Sequence, residues 1–347
     1  MTPRRIDSLT SIAHNEYFEP ISSELRLVEQ EISGVLDSRV RVLKEVGLHL
    51  QSAGGKRLRP ALLLLCARAC SGWAWDDSLR RKLVAAACAV EAIHMAALVH
   101  DDVVDSAQER RGRLSVNSLW GNEKSVLAGD FILSAALATM MRSTDPEVMQ
   151  LVLDSTVGLC EGEMRQLESK WDLDLDVRRY YEAIANKTSG LFAMACEVGV
   201  MLAASPRGYR SAAKRYGTHY GNAFQITDDL LDLTGDPKVT GKPRGTDLKE
   251  GKFTLPVIYA LRARCGAATG ELRRLLGRFR EADSEADLGE LVARVSAIAG
   301  DLGAIDASRL AAESEVTAAV DALSGLPESP ARASLLGLAR STLDRTF

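Results

Sequence analysis

Carboxylates are planted twice inside apolar runs whose spacing is helical. Asp101-Asp102-Val103-Val104-Asp105 follows Ala96-Ala97-Leu98-Val99, and Asp228-Asp229-Leu230-Leu231-Asp232 follows Phe224-Gln225-Ile226. On a helix, positions i and i+4 share a face and i+1 lies about 100° around it. A chain that holds three carboxylates so close in apolar surroundings has to offset their repulsion and their desolvation. A hard divalent cation does both, and Mg²⁺ favours oxygen ligands while keeping several waters. Two such groups predict a cluster of Mg²⁺ ions bridging something strongly anionic.

The residues after each acidic group suggest the nature of that anion. After Asp105 comes Gln108-Glu109-Arg110-Arg111-Gly112-Arg113; after Asp232 come Lys238, Gly241-Lys242-Pro243-Arg244-Gly245 and Gly251-Lys252. Guanidinium forks and ammonium charges on Gly-rich loops suit phosphate oxygens, so metal on one side and cations on the other describe a diphosphate site. A third basic element, Gly54-Gly55-Lys56-Arg57-Leu58-Arg59-Pro60, opens the apolar helix at Ala61 and offers a second anion its amide groups and helix N-terminus. A single DDxxD is more often a solvated acidic face, but here both copies have apolar flanks and cationic sequels.

The rest of the chain predicts an all-α protein. Apolar residues recur at helical spacing over Leu79–His100, Val148–Gln166 and Tyr180–Leu202, and no Val-Ile-Thr run alternates strictly, so a sheet is not expected. No linker divides the chain, and residues 1–347 read as one large helical bundle around a central apolar cavity. The one long irregular segment, Thr234 to Leu255, has the length of a binding loop or lid, and a last helix should end near Arg345. A net charge of −4, with no basic stretch interleaved by aromatics, excludes a nucleic-acid surface. Cys66, Cys70, Cys88, Cys160, Cys196 and Cys265 show no C-x-x-C spacing and read as reduced core thiols of a cytoplasmic protein. The N-terminus has no secretory h-region, and Leu83–Val99, interrupted by Glu91 and His94, falls short of a transmembrane segment.

These stretches resemble the polyprenyl synthetase family, the trans-isoprenyl diphosphate synthases. The resemblance rests on GGKRLRP (54–60), HDDVVDSAQERRG (100–112), LAGDFIL (127–133), GEMRQL (162–167), NKTSGL (186–191), FQITDDLLD (224–232) and GKPRGTDLKEGKFTLP (241–256), in family order. It implies an isoprenoid-synthase bundle that ionises an allylic diphosphate, couples the cation to isopentenyl diphosphate and loses a proton, repeatedly. Asp101, Asp102, Asp105, Asp228, Asp229 and Asp232 would serve three Mg²⁺ ions, Asp232 acting behind the direct ligands. Lys56, Arg59, His94 and Arg111 would hold isopentenyl diphosphate; Arg110, Lys187, Lys242 and Lys252 would hold the allylic diphosphate. Lys187, Thr188 and Gln225 would set oxygens near the developing cation. The resemblance also implies a homodimer, for which the long apolar helices around residues 120–165 supply surface, and peripheral membrane contact for product release. His94, by itself a core hydrogen-bonding residue, and Gln225 lie on the helix faces of Asp101 and Asp228 respectively.

Product length is addressed by the residues behind Asp101. Ala97 and Ala96 stand where short-chain relatives place bulky aromatics, leaving room for a tail to run toward Ile93, Ala92 and Ala89. Small residues also permit close helix packing, the plainer reading. With the ending LLGLARSTLDRTF, which resembles quinone-tail synthases, the expectation is a medium-to-long all-trans product. The alternatives are a short-chain farnesyl or geranylgeranyl diphosphate synthase, a class I terpene cyclase, a His-Asp phosphohydrolase at His100-Asp101 short of further histidines, and a non-catalytic synthase subunit. Against the last, all six motif aspartates are present.

Overall fold

The structure, a computed structural model, describes residues 16–72, 75–235, 244–281 and 284–344. It is helical nearly throughout, as the spacing of apolar residues predicts. The only strand pairing among the described residues is a two-residue antiparallel ladder, Glu109–Arg110 with Arg113–Leu114. It closes the tight turn at Arg111 and Gly112, both at positive φ. The last helix, Pro330–Ser341, stops before the expected end near Arg345, and part of the long irregular segment is a short helix, Thr246–Lys249.

The chain divides into two compact units. One comprises residues up to Thr156, Leu191–Gly217 and Ala322–Leu338. Its central element is the 28-residue helix Asp77–Val104, whose start is capped by the Asp76 carboxylate accepting from the Leu79 N–H at 2.7 Å. This helix packs along Asn122–Ser143, Ser22–Leu36 and Leu58–Ser71. Leu58–Ser71 is buried on every side over Leu62–Ala67, as expected for a helix surrounded by others. Asp77–Val104 exceeds the apolar length expected of it, and both it and Asn122–Ser143 are long and apolar enough to cross a membrane. Most of its apolar window is buried, which makes it a core helix, whereas Asn122–Ser143 leaves two-thirds of its window uncovered.

The other unit comprises Val157–Gly190, Thr218–Asp321 and residues from Ala339 on. Ile226 and Leu230, one turn apart, pack with Leu175, Tyr180, Ile184, Leu255 and Ile258. That packing fixes the end of helix Arg207–Thr234 and so aims its carboxylates. A second cluster joins helices Leu255–Arg262, Gly266–Arg278 and Glu285–Asp301 under Phe253 and Trp171. The expected Tyr180–Leu202 helix is in fact three pieces: Val177–Ile184, a wide π turn over Ala185–Ser189, and Gly190–Leu202. Of the six cysteines, Cys66, Cys88 and Cys196 are buried and Cys70 partly so, but Cys160 and Cys265 are exposed rather than core residues.

Candidate active site

Both acidic groups stand at the carboxyl ends of long helices. The first helix closes at Val104, so Asp105 is its C-cap, with its N–H bonded to the Asp101 carbonyl at 2.8 Å. The second group occupies the last turns of Arg207–Thr234. Helix ends of this polarity carry a partial negative charge, and neither last turn contains a basic residue. Carboxylates placed there add repulsion to repulsion. The donor set is all oxygen and strongly anionic, which fits a hard divalent cation. Among the described residues no three carboxylates converge on one point, and Mg²⁺ sites completed by phosphate oxygens and water need no such cage.

Within the first unit, His94, Asp102, Arg110 and Arg111 line one cavity of about 500 Å³, with Arg57 and Glu91 in its wall. Asp102 is buried, which pushes its pKa up, and Arg110 opposes that by donating to its carboxylate at 2.5 Å. The Arg111 guanidinium donates to the Gly54 carbonyl. Burial, and then the charges of Arg59, Arg111, Arg110 and Arg57, hold the His94 imidazole well below its usual pKa. Lys56 is exposed at the loop tip, and the Arg59 guanidinium lies 4.3 Å over the Phe192 ring, so neither lines the cavity that His94 does. The expected trio of Lys56, Arg59 and His94 is thus brought to one loop and one helix but not to one wall.

His94 sets a pH expectation. A base whose folded pKa is depressed binds fewer protons folded than unfolded, so stability is present above the unfolded pKa near 6.5 and lost as pH falls below it. Lowering the pH from 7.5 to 5.5 should therefore lower the melting temperature of the parent by more than that of His94→Asn, as read by calorimetry. Equal shifts would show that His94 is not held neutral.

Within the second unit a chain of hydrogen bonds ties three expected residues together. Thr188 Oγ1 donates to Gln225 Oε1 at 2.8 Å, Gln225 Nε2 donates to Asp229 Oδ1 at 2.8 Å, and Tyr180 Oη donates to Asp229 Oδ2 at 2.6 Å. Gln225 therefore pairs with Asp229, not with Asp228 as its spacing suggests. The Asp229 carboxylate fixes which end of the amide faces Thr188, because a flipped amide would set oxygen against carboxylate. Burial raises the Asp229 pKa to about 7, and burial likewise raises that of Asp232 to about 6. Asp232 accepts from the N–H groups of Thr246 and Asp247 at 3.1 and 3.2 Å, placing it behind the direct ligands. Asp101, Asp105 and Asp228 are half-buried.

Lys187 rides on the π turn, where its ammonium meets Glu163 at 2.5 Å and Gln166 Oε1 at 2.8 Å. Gly162 makes that approach possible: a Cβ there would stand 2.7 Å from both Asn186 Cβ and the Lys187 nitrogen. Lys252 pairs with Glu250 at 2.6 Å, and Lys242 lies outside the described residues. Sequence reasoning missed Tyr180, Glu163, Gln166 and Asp247, although Glu163 and Gln166 were visible as an i, i+3 pair within GEMRQL. It also missed Arg57 and its two partners.

The polyprenyl synthetase family model matches residues 40–295, a span that contains both acidic groups and all three basic elements. The chain belongs to the polyprenyl synthetase family. It is 38% identical over 329 residues to the geranyl-diphosphate-specific all-trans-nonaprenyl-diphosphate synthase of Rhodobacter capsulatus, covering 94% of this chain and 96% of that one. It is 37% identical to the heptaprenyl diphosphate synthase component 2 of Geobacillus stearothermophilus, covering 92% and 95%. Among solved structures, the polyprenyl synthase of Caulobacter crescentus CB15, complexed with calcium and isoprenyl diphosphate, superposes with a TM-score of 0.87 at 34% identity, covering 99% of this chain and 100% of that one. The family accounts for the all-helical architecture and makes the chain a prenyltransferase.

Proposed function

We propose that this synthase extends an allylic diphosphate with isopentenyl diphosphate units to an all-trans polyprenyl diphosphate of medium or long chain. The observation that carries the reading is the stacking of six carboxylates at two negative helix ends, each followed by cationic residues. Asp101, Asp102, Asp105, Asp228 and Asp229 would hold Mg²⁺, three ions in all, with Asp232 supporting them. Bound Mg²⁺ supplies Lewis-acid stabilisation of the departing diphosphate. The chain's own part is to bind and to position. Arg111 and His94 hold the diphosphate of isopentenyl diphosphate with Lys56 and Arg59, while Arg110, Lys187, Lys242 and Lys252 serve the allylic diphosphate. Thr188 and Gln225, held rigid by Asp229 and Tyr180, present oxygen atoms near developing positive charge. The family match runs through both compact units, which supports one functional domain over residues 1–347.

Chain length follows from Ala96 and Ala97, together with relatives that make seven- and nine-unit chains. The test is incubation of purified protein with labelled isopentenyl diphosphate, farnesyl or geranylgeranyl diphosphate and Mg²⁺, followed by product sizing. A linear product of six or more units is expected; a cyclic hydrocarbon or a product of four units or fewer overturns the reading. The name "component 2" on the Geobacillus relative favours a second reading, a catalytic subunit that works with a partner. Silence of the purified chain, relieved by a co-expressed second subunit, would establish it.

A homodimer is also proposed. Leu127 and Met141, 65% and 70% exposed, lie about four turns apart on one stripe of Asn122–Ser143, and Leu153, Val157 and Met164 make a second stripe on Pro146–Glu168. Apolar stripes of that kind mark interaction surfaces. Sedimentation at micromolar concentration should give twice the chain mass, and Leu127→Glu should halve it. A fully active monomer would count against the dimer. The buried thiols, with Cys88 pushed up to about 12 chiefly by burial, suit a cytoplasmic location, and peripheral membrane contact would serve release of a long apolar product.

A further inference from the structure

Arg57 sits in the middle of the basic run Lys56-Arg57-Leu58-Arg59, yet it is only 2% exposed. All three of its guanidinium nitrogens are engaged by carboxylates. Nε and Nη2 donate to the two oxygens of Glu29, the latter at 3.3 Å, and Nη1 donates to Glu91 Oε1 at 3.0 Å. Glu29 and Glu91 are themselves buried. Arg57 is therefore turned away from any substrate, which its place in the motif conceals.

Three further observations give this triad a task. Arg57 is the N-cap of helix Leu58–Ser71 and holds a left-handed backbone at φ 49°, so its side-chain anchor fixes the direction of the loop entering that helix. A Cβ on Gly55 would lie 2.9 Å from Arg111 Nη1 and 3.0 Å from Arg57 Nη1, so the loop backbone is gripped between two guanidinium groups. Glu91 is one turn before His94 on Asp77–Val104 and shares its cavity with Arg110 and Arg111. Two carboxylates against one guanidinium leave a net negative charge beneath a wall of cations, and this offsets their mutual repulsion.

We propose that the Glu29–Arg57–Glu91 triad is a positioning device that locks the Gly54–Lys56 loop to the His94 face, so that the loop cations meet the isopentenyl diphosphate in register. The inference rests on the assignment of Lys56, Arg59 and His94 to that substrate. The triad touches no substrate; it acts through the residues it holds.

The test compares Glu91→Gln, Arg57→Lys and Arg57→Gln with Lys56→Gln as the reference, by steady-state kinetics and melting. Glu91→Gln keeps the acceptor oxygen and leaves Arg57 paired with Glu29, so it folds even if Arg57→Gln, which strands two buried carboxylates, does not. Glu91→Gln should raise the KM for isopentenyl diphosphate about tenfold, since sub-ångström misplacement of binding groups is enough for that. The KM for the allylic diphosphate and kcat should stay within about twofold of the parent, because the triad does not reach those groups. Arg57→Lys should fall between Arg57→Gln and the parent. A Glu91→Gln variant with an unchanged KM for isopentenyl diphosphate, or with both KM values raised together, overturns the positioning role. An unchanged value in Lys56→Gln instead overturns the assignment of the loop.

Discussion

Asp228→Ala and, separately, Asp101→Ala should lower turnover by about a thousandfold or more, the scale expected when a group that stabilises developing charge is lost. Neither change should unfold the protein. Both side chains are half-buried at negative helix ends, so each truncation removes a repulsive charge rather than core packing. The melting temperature without added metal should therefore hold or rise. Stabilisation by Mg²⁺ with inorganic diphosphate, which arises from binding to the folded state alone, should shrink in both variants. Near-parental turnover in both, at limiting and saturating Mg²⁺, would refute metal binding at these positions. A large fall in melting temperature would reassign the lost activity to misfolding.

Ala96→Phe should cut the product to a shorter chain, near farnesyl or geranylgeranyl diphosphate. Ala96 and Ile93 are each 1% exposed, and Ala92 and Ala89 are fully covered, one and two turns further from the first acidic group. A phenyl ring at residue 96 stands about a turn and a half from Asp101 and fills the path that a long tail would take. Early condensations should keep rates within about tenfold of the parent, a barrier change near 1.4 kcal/mol. Overpacking of a full core typically costs about 1–3 kcal/mol, so a melting curve on the same sample separates a blocked path from a loosened helix. An unchanged long product from a folded variant would show that the tail runs elsewhere.

The helices and the two acidic groups were legible because both are written in local periodicity. Apolar residues repeating at helical spacing need no distant partner to be read, and neither does an aspartate set i, i+1, i+4. What escaped were links made across the sequence. Arg57 reads as one more substrate cation until Glu29 and Glu91 take all three of its nitrogens, from 28 and 34 positions away. Tyr180 carries no sign of its bond to Asp229, 49 positions on. Spacing puts Gln225 on the right helix but one residue out in its partner, because it does not distinguish i+3 from i+4 neighbours. The cysteines show the same limit, since an apolar neighbourhood in sequence does not place Cys160 or Cys265 inside.

The wide turn at Ala185–Ser189 makes the reading frame of this helix part of the chemistry. Such a turn is one residue more than the regular helix needs, and the backbone resumes α geometry at once on either side, at Ala185 and Gly190. Deleting a single residue between Ala185 and Ser189 would let the segment close into an ordinary helix, with no loss of backbone bonding. Everything on one side of the deletion would then be rotated by about 100° relative to the other. Lys187 would leave Glu163, or Thr188 would leave Gln225, depending on which residue is lost. The protein would keep its helix and lose its aim, so in this stretch a length change is more damaging than most substitutions.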